Sequence, residues 1–286
     1  MTGILIVDKP ADWTSQDVAS KLRGICRERR VGHGGTLDPM ATGVLPIFLG
    51  RATRAVSFFE SAEKEYVAGI RFGLVTDTQD TTGTTLETRP VSLTEAQVRE
   101  ALASMVGPQD QIPPMYSAVK IGGKKLYELA RAGKEVERKP RKIELKELEL
   151  LSFDGENAEF RVLCSKGTYV RTICHDLGEK LGCGGCMSSL RRTKAGVYGI
   201  EQAYTLEQIQ AGEAEVLPVD SMFSDCPAIT LTPKQETRCR NGNSFSVHGM
   251  EEGTYRAYSQ NGEFLMLARC KDGVMATVKS FFEVNE

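Results

Sequence analysis

Apolar and polar positions along this chain fall into two clear rhythms. The first is alternation, the mark of a strand with one buried face. It runs over 66–74, where Tyr66, Ala68, Ile70, Phe72 and Leu74 share a face, and returns at Ala158, Phe160, Val162 and Cys164 after another strand-like stretch over 143–151. A short apolar run over 3–7 reads as a further strand. The second rhythm is helical. Val18, Leu22 and Ile25 form a stripe behind Thr14-Ser15-Gln16-Asp17, which has the form of a capping box. Leu93-Thr94-Glu95-Ala96-Gln97-Val98 combines a capping box with a hydrophobic staple, and that helix is expected to run through Leu102 and Met105 until Gly107-Pro108 stops it. Val170, Ile173, Leu177 and Leu181 predict a third helix, with Tyr169 and Arg171 at its start and Gly182 at its end.

Two segments break this texture. Residues 112–142 open with Pro113-Pro114, hold Gly122-Gly123 and Gly133, and interleave Tyr116 and Tyr127 with many lysines and arginines, the composition of an exposed arm. After 217–220 the pattern changes again. Thr232-Pro233-Lys234-Gln235 is a capping box with proline at the first helical position, and Asn241-Gly242 stops that short helix. Strands over 254–259, 263–269 and 274–282 follow, joined by the hairpin signals Asn261-Gly262 and Asp272-Gly273. The expectation is an α+β protein of two parts, a large domain over 1–225 and a small β unit over 226–286.

The 286 residues are enough for a sizeable core. A formal charge of −2 and a pI near 6.1 give no global sign of a polyanionic partner, so a nucleic-acid surface would have to be local. Arg23, Arg27, Arg29 and Arg30 form one such concentration, and Lys120, Lys124, Lys125, Arg131, Lys134, Arg138, Lys139, Arg141 and Lys142 form another within the arm. Such runs are more often solvated faces. The longest apolar stretch, 44–49, is interrupted by Pro46 and too short to cross a bilayer, and no signal-like start is present. Eight cysteines without a secretory context read as free thiols of a reducing, cytoplasmic compartment. Cys183-Gly184-Gly185-Cys186 has no second Cys-x-x-Cys to complete a metal site.

Candidate chemistry centres on Gly32-His33-Gly34-Gly35-Thr36-Leu37-Asp38-Pro39-Met40-Ala41-Thr42-Gly43-Val44-Leu45-Pro46. The glycines allow close approach of a bulky ligand, and Pro39 restricts Asp38 to extended or turn geometry. By composition alone this is also what a plain turn looks like. As a string, it resembles the catalytic signature of the TruB family, bacterial tRNA pseudouridine synthases that isomerise a T-loop uridine. The resemblance continues through Asp8-Lys9-Pro10, Lys64-Glu65-Tyr66, Thr76-Asp77-Thr78-Gln79-Asp80, Pro113-Pro114-Met115-Tyr116-Ser117-Ala118 and Cys164-Ser165-Lys166-Gly167-Thr168-Tyr169-Val170-Arg171, in the family's order. Family members commonly carry Thr where this chain has Gly34.

The resemblance implies a pseudouridine-synthase-like catalytic domain, built on a mixed, mostly antiparallel sheet with flanking helices, and a small β-barrel-like, PUA-like RNA-binding domain. It also implies a thumb-like role for the arm, closing over the tRNA stem-loop. Isomerisation breaks the bond from N1 to C1′, turns the uracil and rejoins it through C5, and it calls for no cofactor. Asp38 is the candidate at the sugar, as nucleophile or as base; both routes stay open. Arg171 is assigned as its bidentate partner. Tyr66, by residue pattern a core tyrosine, is assigned to stack on the uracil and take the C5 proton. Tyr169 and Leu190 are assigned to the pocket wall, although Leu190 equally suits a plain core. His33 is assigned to fill the space left by the flipped base, Asp80 to a polar contact in the site, and Lys9 to support of the catalytic loop. The expected partner is tRNA, with a monomeric protein and no obligatory protein partner. Two other readings are a guide-RNA-dependent relative, disfavoured by the arm and the compact tail, and a non-catalytic tRNA-binding or tRNA-folding protein, disfavoured by the presence of Asp38, Tyr66 and Arg171 together.

Overall fold

The structure, a computed structural model, describes residues 1–283. The chain begins with β1 (Gly3–Lys9) and α1 (Ser15–Ile25), followed by β2 (Val31–His33), β3 (Thr42–Leu49), a one-turn helix α2 (Val56–Phe59) and β4 (Lys64–Phe72). A small hairpin, β5 (Leu74–Thr76) with β6 (Thr85–Thr88), leads to α3 (Glu95–Ala103) and β7 (Gly107–Gln111). The arm carries β8 (Lys120–Ile121), β9 (Lys124–Lys125) and α4 (Leu126–Arg131). Then come β10 (Arg141–Phe153), β11 (Asn157–Cys164), α5 (Val170–Lys180), β12 (Gly185–Ala195), β13 (Tyr198–Gly199) and α6 (Leu206–Ala211).

One mixed sheet organises this part, in the order β1-β3-β12-β4-β11-β10-β7, with β2 beside β3 and β13 beside β12. All its pairings are antiparallel except β3 with β12, which meet in parallel at Thr42 and Arg191. The expected capping boxes are formed: Thr14 and Asp17 close α1, and Thr94 and Gln97 close α3. α1, α3 and α5 cover the sheet with Val18, Leu22, Val98, Leu102, Ile173 and Leu177, all buried in one core with Leu5, Ile47, Ala68 and Phe160.

Several boundaries differ from the sequence reading. The strand over 66–74 ends at Phe72, because Gly73 takes a left-handed φ of +80° and Leu74 starts β5 instead. α3 stops at Ala103, and Gly107-Pro108 opens β7 at the sheet edge, where Pro108 pairs with Glu144. Arg141 and Lys142 belong to β10 and not to the arm. β12 is the largest element missing from the pattern. It lies centrally between β3 and β4, and irregularities at Met187/Ser189 and Arg192/Lys194 break the two-residue alternation that would announce a strand.

The C-terminal part holds β14 (Ala228–Thr230), α7 (Pro233–Arg240), β15 (Phe245–Ser246), β16 (Gly253–Tyr258), β17 (Phe264–Lys271) and β18 (Val274–Ser280), in a five-stranded sheet ordered β14-β16-β17-β18-β15. Asp272 and Gly273 form the two-residue turn expected, both at positive φ, 51° and 70°. Asn261-Gly262 sits instead in a longer loop between β16 and β17. This sheet has its own core around Leu231, Ala257, Leu265 and Met275. It also shares a second one with the main sheet, where Leu267 and Phe281 join Ile4, Ile6, Val44 and Phe48.

Candidate active site

Asp38 follows β2 in the glycine-rich loop, and two separate elements fix the backbone on either side of it. Ser15, the first residue of α1, accepts the Leu37 N–H on its hydroxyl at 2.9 Å. Lys9, at the end of β1 and with no exposed surface, donates from Nζ to the carbonyls of Pro39 (3.1 Å), Pro10 (2.8 Å) and Trp13 (2.6 Å). Burial pulls the Lys9 pKa down to about 8.

Arg171 is the second residue of α5 and is buried. Its Nε lies 2.9 Å from Asp38 Oδ2, and an Nη2 donates to Asp38 Oδ1 at 3.3 Å, a two-point pairing. The rest of the guanidinium donates to the carbonyls of Thr78 (3.0 Å) and Tyr116 (2.9 Å). Asp80 stands behind it with a carboxylate oxygen 3.8 Å from Arg171 Nε. The other Asp80 oxygen accepts from Thr78 Oγ1 (2.8 Å) and from the Thr82 N–H (2.9 Å) and hydroxyl (2.6 Å). Asp80 therefore acts on the guanidinium, not on the open space.

That open space is a cavity of about 410 Å³. Asp38, Tyr66, Tyr169, Arg171 and Leu190 all line it, from the catalytic loop, β4, the start of α5 and β12. Tyr66 and Leu190 are each only 8% exposed, and burial pushes the Tyr66 phenol up, so it is a neutral hydroxyl at pH 7. The Tyr169 backbone is locked by Gln111, which accepts its N–H at 2.8 Å and donates to its carbonyl at 3.1 Å. Three expected residues do not border the cavity: Asp80, Lys9 and His33. His33 ends β2, and burial, helped by the Arg192 charge, holds its pKa down, leaving a neutral imidazole at pH 7. Its Nδ1 is buried without a partner among the described residues.

The cavity also holds residues to which the sequence gave no role. Tyr116, Ser117 and Tyr127 reach it from the arm, so the arm is part of the site wall. Ser117 Oγ is buried without a hydrogen-bond partner among the described residues. Lys64 and Arg192 line it from β4 and β12. Each sits in a motif that could have been searched, but a lone Lys before a strand and an Arg-Arg pair carry no mark of an inward position. Among the described residues no group of His, Cys, Asp and Glu side chains is placed to hold a metal ion, and no helix is long and apolar enough to cross a membrane. Cys183 and Cys186 are buried free thiols.

Comparison with known proteins places this geometry. Residues 23–170 match the model of the TruB family pseudouridylate synthase N-terminal domain, and residues 171–224 match that of the tRNA pseudouridylate synthase B C-terminal domain. A tRNA pseudouridine synthase B of Syntrophomonas wolfei is 42% identical, with all of both chains covered. Another, of Aromatoleum aromaticum, is 43% identical over 94% of this chain and 88% of its own. Among solved structures, a chain of a Cbf5-Nop10-Gar1 complex is similar in fold, with a TM-score of 0.75 at 24% identity, covering 98% of this chain and 85% of that one. By these matches the chain, with its Asp38 loop and the pairing of Asp38 with Arg171, belongs to the TruB family of pseudouridylate synthases.

Proposed function

We propose that this protein is a tRNA pseudouridine synthase that converts the T-loop uridine at tRNA position 55 to pseudouridine, with Asp38 as the group acting at the sugar. The observation that carries this is the two-point pairing of Asp38 with buried Arg171 in the wall of a cavity also lined by Tyr66, Tyr169 and Leu190. The relatives' name, tRNA pseudouridine synthase B, supports the substrate.

A uridine inside a folded loop is reached by flipping it out, at a cost of a few kcal/mol. The neutral His33 suits the space that the base vacates, and Tyr66 stacks on the uracil over Leu190, with Tyr169 at its side. Asp38 acts at the sugar, either adding to C1′ or removing a sugar proton, and the bond from C1′ to N1 breaks as the uracil keeps its electron pair. After rotation C5 bonds to C1′ as Asp38 leaves C1′ or returns the sugar proton, and the C5 proton passes to the Tyr66 oxygen as that hydroxyl releases its own proton toward N1. No electrons are gained or lost overall. Arg171 orients the Asp38 carboxylate, and Asp80 fixes Arg171 from behind. The arm closes over the stem-loop, and residues 226–286 form a PUA-like module contacting RNA outside the catalytic domain of 1–225. We further propose a monomer acting in the cytoplasm without an obligatory protein partner.

The test is tritium release from a tRNA transcript labelled at uridine C5, with wild type and Asp38→Asn side by side, followed by mapping of the modified position. Wild type is expected to release tritium from the T loop, while Asp38→Asn binds tRNA but turns over about 10²–10⁴-fold more slowly. Equal release by both would reject Asp38, and binding without release by wild type would favour an RNA-folding role.

A further inference from the structure

Asp38 and Arg171 neutralise each other, but the cavity wall holds two more cations against one further carboxylate, Glu60, which pairs with neither among the described residues. Lys64 and Arg192 are buried in its wall, and neither forms a salt bridge with a carboxylate among the described residues. Lys64 Nζ donates to the carbonyls of Ala62 (2.6 Å) and Glu60 (3.3 Å), which uses two of its three N–H groups. Arg192 donates from Nε to the Val44 carbonyl (2.6 Å) and from Nη2 to the Gly35 carbonyl (3.2 Å), and its guanidinium also faces the Tyr66 hydroxyl. Both side chains border the bare backbone of Gly35. Its φ of +105° favours glycine, and a Cβ there would stand 3.7 Å from Arg192 Nη1 and 3.9 Å from Lys64 Cε. The Lys64 and Arg192 side chains therefore flank one side-chain-free spot on the Asp38 loop.

Buried charge without a counter-charge is costly, and two like charges side by side cost more. The strain is visible in Lys64, whose pKa is pulled to about 8 by burial, with Arg192 and then Lys166 adding to the effect. Glu60 and the Cys164 thiol act in the opposite direction but do not restore the usual value. A site of this kind is relieved by an anion.

We propose that Lys64 and Arg192 form a phosphate subsite, holding a backbone phosphodiester of the RNA next to the nucleotide whose base enters the cavity. This rests on the RNA-modifying reading above. Anchoring a phosphate beside Gly35, three residues before Asp38 in the same loop, fixes the position of the attached ribose relative to the carboxylate. The unmet positive charge thus becomes a positioning device, silent until RNA arrives.

Synthetic T-stem-loops carrying a neutral methylphosphonate on the 5′ or the 3′ side of the target uridine test this. With wild type, one of the two is expected to lower kcat/KM by about tenfold or more, the worth of a charge-assisted hydrogen bond. Lys64→Met, which keeps the apolar stem, should show a similar loss on unmodified RNA, no further loss on the methylphosphonate, and a salt slope reduced by about one. KM of wild type should rise above about pH 8 as Lys64 loses its proton, while Lys64→Arg, in which Lys9 still titrates near pH 8, should show a distinctly smaller rise. If wild type ignores both substitutions, or Lys64→Met remains as sensitive as wild type, the subsite is refuted. If Lys64→Met fails to fold, the wild-type result and the Lys64→Arg profile decide. Turnover of unmodified RNA by wild type is read in the same series, so a failure of the synthase reading is separately visible.

Discussion

Asp38 is a short side chain in a glycine-rich loop, and its neighbours supply the rigidity that the loop lacks. Ser15 holds Leu37 from one side and Lys9 holds Pro39 from the other. Since Thr14 and Asp17 already cap α1, the Ser15 hydroxyl is free for this second task. Ser15→Ala should therefore leave the helix intact but lower kcat by about tenfold with little change in KM, since it strips a buried N–H of its partner at about 1–3 kcal/mol. Steady-state kinetics with a circular dichroism control reads both. Arg171→Lys is a harsher change than its charge suggests. One ammonium cannot reproduce the planar contacts to Asp38, Thr78 and Tyr116, so turnover should fall about 10–100-fold while tRNA binding persists. Unchanged turnover would show that charge alone suffices.

At the scale of elements, the departure at Gly34 has a partner. A Cβ at Gly34 would come within 2.6 Å of the Phe59 ring of α2 and 3.0 Å of the Phe48 ring of β3. Phe59 is fixed edge-on to Phe48 and stacked on Tyr198, so it has little room to yield. The chain has in effect replaced a side chain on the catalytic loop with an aromatic ring from outside it. Gly34→Thr, which restores the residue common in the family, is expected to destabilise this protein by about 1–3 kcal/mol through overpacking. Combining it with Phe59→Ala should cost less than the sum of the two single changes. Urea denaturation of the four proteins measures the coupling; strict additivity would mean that the loop moves aside instead.

For the whole molecule, charge is the governing variable. With a formal charge of −2, affinity for a polyanion has to come from local basic groups, so tRNA binding should weaken by at least about 10²-fold between 50 and 200 mM salt if four or more phosphates are held. A shallow dependence would move the RNA surface away from the arm and the cavity. Stability carries a second signature. Burial lifts the thiols of Cys164, Cys186 and Cys239 to about 11, against 9 when unfolded, so above pH 9 the unfolded chain releases protons that the folded one keeps. Unfolding free energy should fall from pH 9 to 11, each thiol contributing up to about 1.4 kcal/mol per pH unit. Lys9 and Lys64 work the other way between pH 8 and 10.5, because there the unfolded chain binds protons that the folded one has lost. Urea titrations at pH 8, 9, 10 and 11 should show a small gain over the first step, where the lysines dominate, little change over the second, and a clear loss over the third.

The sequence by itself determined the local elements and the catalytic loop. Capping boxes at Thr14, Thr94 and Thr232, the alternation in β4 and β11, and the turn at Asp272-Gly273 act over a few residues, so they are written in consecutive letters. The signature around Asp38 was legible for the same reason, and with Tyr66, Tyr169, Arg171 and Leu190 it named a part of the cavity wall. Tertiary structure decided what depends on distant partners. β12 is a strand because β3 and β4 flank it, despite bulges that erase its rhythm, and only that position turns Arg192 inward. Lys64 reads as an ordinary surface lysine until its neighbours remove it from water. Asp80 was named as a contact, but its place behind Arg171 required the β5–β6 hairpin to dock against β12, where Asp80 bridges to Met187. Pairing across many residues of sequence leaves no periodic trace, and so the two further cations of the site could be read only from the folded chain.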